Sequence, residues 1–254
     1  MIVCHSPQGS PEWFADRAGA ITGSMYPVIM AKVGGLDERQ QAYVDLVRAG
    51  MDKKDAVKQA GYKSAPTSSR IQDAIDGKPV GDWSGPAYDY AFRLAVERIS
   101  GEALTDDQFE TYYMRRGKEL EPEAREAHEF AYGIKVEPCG FIKTGDGKFG
   151  VSADGLIGKG GGSEYKCFLA PEKLRAIHID NDIGDVIWQV QGGMWLTGRS
   201  WWHFGLYCPA LAACGKSLKI LEFERDEAII QKLEQELIAF DRLVESYREQ
   251  LEAE

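Results

Sequence analysis

The sequence predicts an α+β fold in which a mixed central β-sheet is flanked by helices. Helical periodicity fills most of residues 1–131, and short β-rich segments crowd into 134–168. A further helix then separates those segments from two more strands and a last amphipathic helix. Helices first, a three-strand meander next, and strands resumed after a helix give α+β rather than a regular βαβ alternation.

Residues 1–35 open with a loop and continue into a helix bearing Trp13, Phe14 and Arg17, followed by Ile21-Thr22-Gly23-Ser24. Residues 36–84 look like a helical insertion. Tyr43, Leu46 and Val47 give 40–49 helical spacing, and 53–60 forms a second short helix ended by Gly61. Ser68 is placed to cap a third helix through Ile71 and Ile75, and the Gly- and Pro-rich stretch 77–86 reads as a linker. Helical patterning returns at 86–100 and 107–131. Strands are expected at 134–142, 147–157, 162–168, 203–208 and 217–223, with a helix at about 181–197. Along 226–254, Ile230, Leu233, Leu237, Phe240, Val244, Tyr247 and Leu251 recur every three or four residues. That pattern suits a helix packed on its own domain or a coiled-coil seam.

The bulk numbers exclude several classes. With 254 residues and 44% hydrophobic content, the chain can bury a core without disulfides or a structural metal. No apolar run approaches the roughly 20 residues a membrane helix needs, and the first residues lack a signal-peptide pattern. A cytoplasmic protein is expected, in the bacterial host if the gene is carried by a phage. The five cysteines never fall in a CxxC pair, so reduced thiols are expected rather than zinc or an iron–sulfur cluster. The net charge of −10 sits mostly in the tail: eleven acids and four bases follow from Glu222 onward. Overall charge therefore does not exclude a nucleic-acid partner.

The chemistry concentrates in Ser152-Ala153-Asp154-Gly155 and Ser163-Glu164-Tyr165-Lys166, separated by a glycine-rich turn. A hairpin centred near Lys159 sets Asp154 opposite Glu164 and Ser152 opposite Lys166, and alternation puts Glu164 and Lys166 on one face. Two carboxylates and an ammonium would converge there. With the carbonyl of Tyr165, such acids can hold Mg²⁺, while the lysine orients a water or stabilises developing charge. An ordinary surface hairpin with an ion pair fits the same spacing.

The surrounding motifs bear on that choice. Trp13 with Arg17-Ala18-Gly19-Ala20-Ile21-Thr22-Gly23-Ser24, Gly117-Lys118-Glu119-Leu120-Glu121, the two hairpin segments, and Trp188-Gln189-Val190-Gln191 before Met194-Trp195-Leu196-Thr197-Gly198 occur in that order. Together they resemble the phage lambda exonuclease family, the YqaJ-like viral recombinases of the PD-(D/E)xK nuclease superfamily. The likeness spans most of the chain outside the insertion. It implies a restriction-endonuclease-like core and a Mg²⁺-dependent exonuclease, with Mn²⁺ as substitute and two ions per site. Such an enzyme runs 5′ to 3′ on double-stranded DNA ends and releases mononucleotides, leaving 3′ strands for recombination.

By the same resemblance, Asp154, Glu164, Tyr165 and Glu121 hold metal, and Lys166 and Gln189 serve the attacking water. Arg17, Ser24 and Ser152 take the 5′-phosphate. A ring-shaped homotrimer and a single-strand annealing partner are also implied.

The sequence departs from the family in places. Where the family continues from Lys166-Cys167 with proline and a phosphate-contacting base, this chain has Phe168-Leu169-Ala170-Pro171 and then acidic Glu172, with Lys173 and Arg175 as substitutes. Pro122 follows Glu121 directly and is expected to kink or restart that helix. The insertion has a faint likeness to the helix-turn-helix of phage terminase small subunits, with Ser68, Ser69, Arg70 and Gln72 on its third helix; a packed helical decoration is the plainer reading.

Several residues carry blander readings. Arg17 could be a solvated helix residue, Ser24 a helix cap, and Gln189 a partner for a buried backbone group. Glu121 competes with Glu119, Glu123 and Glu126. His128 shares a helix face with Glu121, and Trp201, Trp202 and Phe204 suit a core or a subunit interface. Two other functions stay open: a nuclease of different polarity or substrate, and a DNA-end-binding recombination module without catalysis. Acids beside phosphate count against the latter.

Overall fold

A computed structural model describes residues 1–78, 80–104, 112–167, 171–184 and 186–253, with the side chains of Tyr113, Met114 and Lys173 outside that description. In chain order the elements are β1 (Ile2–Val3), α1 (Pro11–Arg17), β2 (Ile21–Thr22), α2 (Tyr26–Met30), α3 (Glu38–Arg48), α4 (Lys53–Gln59), α5 (Ser69–Ile75), α6 (Gly85–Ser100) and α7 (Tyr112–Tyr132). There follow β3 (Val136–Glu137), β4 (Phe141–Lys143), β5 (Phe149–Ser152), β6 (Gly155–Ile157), β7 (Gly161–Lys166), α8 (Pro171–His178), α9 (Val186–Thr197), β8 (Trp201–Tyr207), β9 (Leu218–Glu224) and α10 (Glu227–Glu252). Met1–Met30 with Asp89–Glu254 forms one compact unit, and Ala31–Tyr88 forms another. No described helix is long and apolar enough to cross a membrane.

The larger unit is α+β with mixed sheets. Its described strands form two sheets, β1-β4-β5-β2 and β3-β6-β7-β8-β9, where one central sheet was expected. The reason lies in two breaks. The strand expected at 147–157 divides at Ala153–Asp154: β5 pairs with β4, and β6 pairs with β7. The strand expected at 134–142 divides at Pro138-Cys139-Gly140, where proline has no N–H to give a ladder. Both sheets contain parallel and antiparallel pairs, β2–β5 and β7–β8 being the parallel ones.

Helix α9 packs on strands of both sheets, and Val190 and Met194 join Trp202, Phe204, Leu206 and Ala153 in one core. It begins at Val186 rather than near 181. Asn181 adopts a left-handed φ of 52°, and Asp182 accepts from the Gly184 N–H at 2.7 Å, so the chain turns before the helix starts. Helix α10 buries Ile230, Leu233, Leu237, Phe240 and Val244 and packs on α2 and α9, so its apolar stripe faces its own domain. Trp202 and Phe204 are core residues. Helix α7 runs continuously through Pro122, so Gly117–Glu121 lies within it rather than at its start. Residues 107–111, Phe168 and Asp185 of the expected elements lie outside the described residues. The sequence pattern does not signal α2, α8 or the two-residue strands β1 and β2.

A polar network holds the turn after α1. Arg98 donates to Asp241 and Glu245 on α10, each at 2.7 Å, and its Nε donates to the Gly19 carbonyl at 2.9 Å. Glu97 accepts from the Gly19 N–H at 2.8 Å. Gly19 has a φ of +71° and a Cβ there would press on Arg98, so only glycine fits.

In the smaller unit, α3, α4 and α5 enclose Tyr43, Val44, Ala56, Val57 and Ile71. Asp37 and Gln40 form a reciprocal capping box on α3, and Gly61 leaves α4 with a φ of +73°.

The β6–β7 hairpin depends on close approach. A Cβ at Gly162 would overlap the buried indole of Trp202, and one at Gly161 that of Trp201. Gly162→Ala is expected to cost about 1–3 kcal/mol by overpacking, measured by urea unfolding. Gly145→Ala, whose methyl meets open space, should change little. Equal midpoints for the two variants would overturn this account of the hairpin.

Candidate active site

Strand β7 is paired along its whole length with β8, Glu164 beside Phe204 and Lys166 beside Leu206. On its other side it meets β6 in the register Gly155–Ser163, Leu156–Gly162 and Ile157–Gly161. Carried one residue further, that register brings Asp154 opposite Glu164, as the spacing predicts. The Asp154 carboxylate accepts from the Tyr165 N–H at 2.6 Å. Lys166 Nζ donates to Glu164 Oε1 at 2.6 Å, and Gln189 Nε2, from α9, donates to the same oxygen at 2.5 Å. Gln189 therefore partners the acid, whereas Gln191 serves backbone groups, donating to the Glu224 carbonyl and accepting from the Asp226 N–H. Ser152 does not face Lys166: it ends β5, opposite Phe141, because the strand breaks before Asp154.

The acids are buried, Asp154 being 8% and Glu164 5% exposed. Burial, followed by repulsion from Glu164 and Glu121, drives the Asp154 carboxyl well above its usual range. Glu121 is raised by burial and by Glu164, against the pull of Arg125 and Lys166. Burial alone would depress Lys166, but Glu164, Asp154 and Glu121 outweigh it and keep the ammonium protonated. Three carboxylates thus share one lysine.

That surplus of hard oxygen donors is the chemistry a divalent cation such as Mg²⁺ requires. In this conformation no three His, Cys, Asp or Glu side chains among the described residues close on a common point. Lys166 and Gln189 already occupy Glu164 Oε1, and the Tyr165 N–H occupies Asp154. The residues fit a cation by charge and donor type, and Lys166 holds the counter-charge position at Glu164.

Glu121 and Asp154 line one cavity of about 290 Å³, together with Arg125, His5, Gln8 and Cys139. Arg125 lies one helical turn beyond Glu121, a spacing that would have revealed it in the sequence. His5 and Gln8 come from an irregular segment and carry no such signal. Of the competing acids, Glu119 pairs with Arg116 and Glu123 accepts from Tyr207 Oη, while Glu126 is exposed.

Arg17 donates to Ser152 Oγ at 2.8 Å and stacks over Trp13 at 4.0 Å. Burial lowers its pKa to about 10, so it stays cationic at neutral pH. Ser24 is exposed, with a 3.4 Å contact to Thr22 Oγ1. Thr22 pairs with Gly150 in the parallel β2–β5 ladder, so Ser24 lies further along in the direction of Ser152. On α8, Glu172 is exposed and Arg175 pairs with Asp180 at 2.8 Å, which engages one expected substitute base. The other, the Lys173 side chain, and the segment 168–170 lie outside the described residues. All five cysteines are free.

A model of the YqaJ-like viral recombinase domain matches residues 12–200, about three-quarters of the chain, and spans every candidate residue from Arg17 to Gln189. The chain belongs to this family. No curated protein matches it. Among solved structures it is similar to an alkaline exonuclease, LHK-Exo, from Laribacter hongkongensis. Identity is 26% over 96% of this chain and 97% of that one, with a TM-score of 0.67. A structure of LHK-Exo in complex with dAMP matches with the same values. The fold is the restriction-endonuclease-like one, in common with that alkaline exonuclease. The family match takes in the Ala31–Tyr88 unit and ends before β8, β9 and α10.

Behind the acids of this viral recombinase fold runs a buried polar chain. His128, fully buried, joins Tyr165 Oη at 2.8 Å and His203 Nδ1 at 2.9 Å. Burial and the facing His203 lower the His128 pKa to about 4, and burial lowers His203 as well. The pair is neutral in the fold. Its stabilising effect is complete above the unfolded value of about 6.5 and is lost as pH falls toward the folded value, because the unfolded chain takes up protons that the relay refuses. Between pH 7 and 4 the wild type is expected to lose about 3 kcal/mol more unfolding free energy than His128→Gln. Parallel pH profiles in urea titrations would show the relay to be charged.

Proposed function

We propose that this protein is a metal-dependent deoxyribonuclease, an exonuclease that shortens double-stranded DNA 5′ to 3′ and leaves 3′ strands for recombination by annealing. The observation that carries the reading is the convergence of Lys166 and Gln189 on one oxygen of Glu164, beside Asp154, at the buried end of a hairpin. Family membership and the exonuclease named among its structural neighbours support it.

Mg²⁺, or Mn²⁺ in its place, would be held by Asp154, Glu164 and the Tyr165 carbonyl, with Glu121 serving a second ion. Bound there, it supplies Lewis-acid polarisation of the phosphate and a water acidified enough to attack. Lys166 remains protonated among three acids, so it contributes positive charge to the pentavalent phosphorane and orients the water rather than acting as the base. Gln189 gives its amide N–H to Glu164, which leaves its amide oxygen to accept from the water. The water oxygen bonds to phosphorus as the P–O3′ bond breaks, the water giving up a proton to solvent and O3′ taking one from it. The departing nucleotide keeps a 3′-hydroxyl, and the next nucleotide keeps a 5′-phosphate.

Arg17 and Ser152, with Ser24 further along, would bind that terminal phosphate, which each cycle regenerates. Arg125 adds positive charge beside Glu121 and is our choice for the phosphate contact that Glu172 cannot make. A homotrimeric ring around the DNA and a single-strand annealing partner complete the proposal, and the cytoplasm is where they would meet.

The test uses linear duplex DNA with 5′-phosphate or 5′-hydroxyl ends, with Mg²⁺ or with EDTA. The phosphorylated end should be digested faster, and only with the metal. Lys166→Ala should lower kcat by about a hundredfold or more. Arg17→Ala should abolish the preference between ends while leaving Mg²⁺ dependence unchanged. Equal digestion of both ends by the wild type removes the phosphate pocket, and bound but undigested DNA leaves an end-binding module in place of the enzyme.

A further inference from the structure

The unit formed by Ala31–Tyr88 carries nine bases and eight acids, leaving −11 for the rest of the chain. Its bases are unevenly spread. From Lys53 to Arg70 five bases accompany a single acid, Asp55. Lys53, Lys54 and Lys58 on α4 lie within about 140° of one another around the helix, and Lys63 follows just beyond it. These four lysines line a cavity of about 370 Å³ with Val57, Tyr62 and Ser64.

Four ammonium groups around one hollow repel one another, and the unit does little to relieve them. Among the described residues none of the four has an ion pair. Six of the eight acids are engaged elsewhere: Asp37 and Asp52 cap helices, Asp45 and Asp76 accept from glutamines, Asp73 pairs with Lys78, and Asp82 accepts from Tyr88. The remaining contacts add to the positive character. Arg39 stacks on the Tyr62 ring at 4.0 Å and donates to the Ala60 carbonyl at 3.1 Å, which fixes the ring in the cavity wall. Val57 and Tyr62 give the hollow an apolar side.

We propose that this lysine-lined cavity binds the sugar–phosphate backbone of DNA, as a contact separate from the Asp154–Glu164–Lys166 site. Lysines are point charges that suit phosphate without demanding a fixed geometry, and an apolar, aromatic wall suits the sugar. Apart from the lysines, the cavity offers only the hydroxyls of Tyr62 and Ser64 and no amide or carboxylate side chain to read a base edge, so the contact is independent of sequence. The charge lies on α4 and the residues after it. On α5, Arg70 shares a short helix with Asp73 and precedes Asp76, so the third helix is not where the positive field concentrates. The inference rests on DNA being the substrate.

The experiment measures binding of the full chain to a fluorescent blunt duplex in EDTA, across a range of salt concentrations. Wild type is compared with the combined variant Lys53→Ala, Lys54→Ala, Lys58→Ala, Lys63→Ala and with the four-arginine counterpart. All four positions are exposed, and thermal unfolding verifies that the fold is kept. Each phosphate contact contributes about 0.9 to the log–log salt slope, so the alanine variant should lose about 3.6 from that slope and at least about tenfold in affinity at low salt. The losses should be the same for unrelated sequences, and arginine should restore both quantities.

Unchanged affinity and slope overturn the proposal. Polyglutamate binding that the alanine variant loses, with no change in DNA binding, also overturns it, assigning the surface to an acidic protein segment. Because the assay needs no turnover, the two readings fail separately. Loss of DNA binding in a chain that never cleaves DNA would sink the nuclease and keep this site; cleavage with unaltered binding would do the reverse.

Discussion

Three carboxylates share one ammonium at the open end of the β6–β7 hairpin, and much of the larger unit is arranged to hold that unfavourable group together. Isolated buried carboxylates cost several kcal/mol each. Here the cost is offset by fixed donors: the Tyr165 N–H on Asp154, and Lys166 and Gln189 on Glu164. Each donor is itself held. Tyr165 is tied through its hydroxyl to His128, Lys166 sits in a strand paired to β8, and Gln189 projects from α9 as that helix packs against strands of both sheets.

The break at Ala153–Asp154 follows from the same requirement. A continuous strand from 147 to 157 would keep Asp154 in one ladder. Division of the strand lets β5 end beside Arg17 while β6 begins beside β7, so Ser152 and Asp154, two residues apart, serve different surroundings. The turn after α1 is fixed by Arg98, Glu97 and the α10 acids, far along the chain from Arg17. Helix α10, which lies beyond the family match, therefore helps set the position of a residue at the front of the chain.

The two units divide the electrostatics as they divide the fold. Acids dominate the unit that holds the hairpin, and the helical unit collects an unpaired group of lysines. Such lysines can act in water on a polyanion, while Asp154 and Glu164 stay buried with their own donors.

Much of this was legible in the sequence. Hydrophobic spacing sufficed for α3, α6 and α10, because an amphipathic helix repeats its own signal every turn. Turn symmetry about Lys159 sufficed to oppose Asp154 and Glu164, because a hairpin's register is set by its loop. Ordered motifs sufficed for family membership. The two-sheet division, the partner of Ser152 and the start of α9 were decided only in three dimensions. Each depends on contacts between residues distant in the chain, or on a local turn such as that at Asn181, which no periodicity encodes. The sequence by itself determined that Asp154, Glu164 and Lys166 gather on one hairpin. The tertiary structure decided what surrounds them, because burial, donors and neighbouring charge belong to the packed molecule and not to any segment of it.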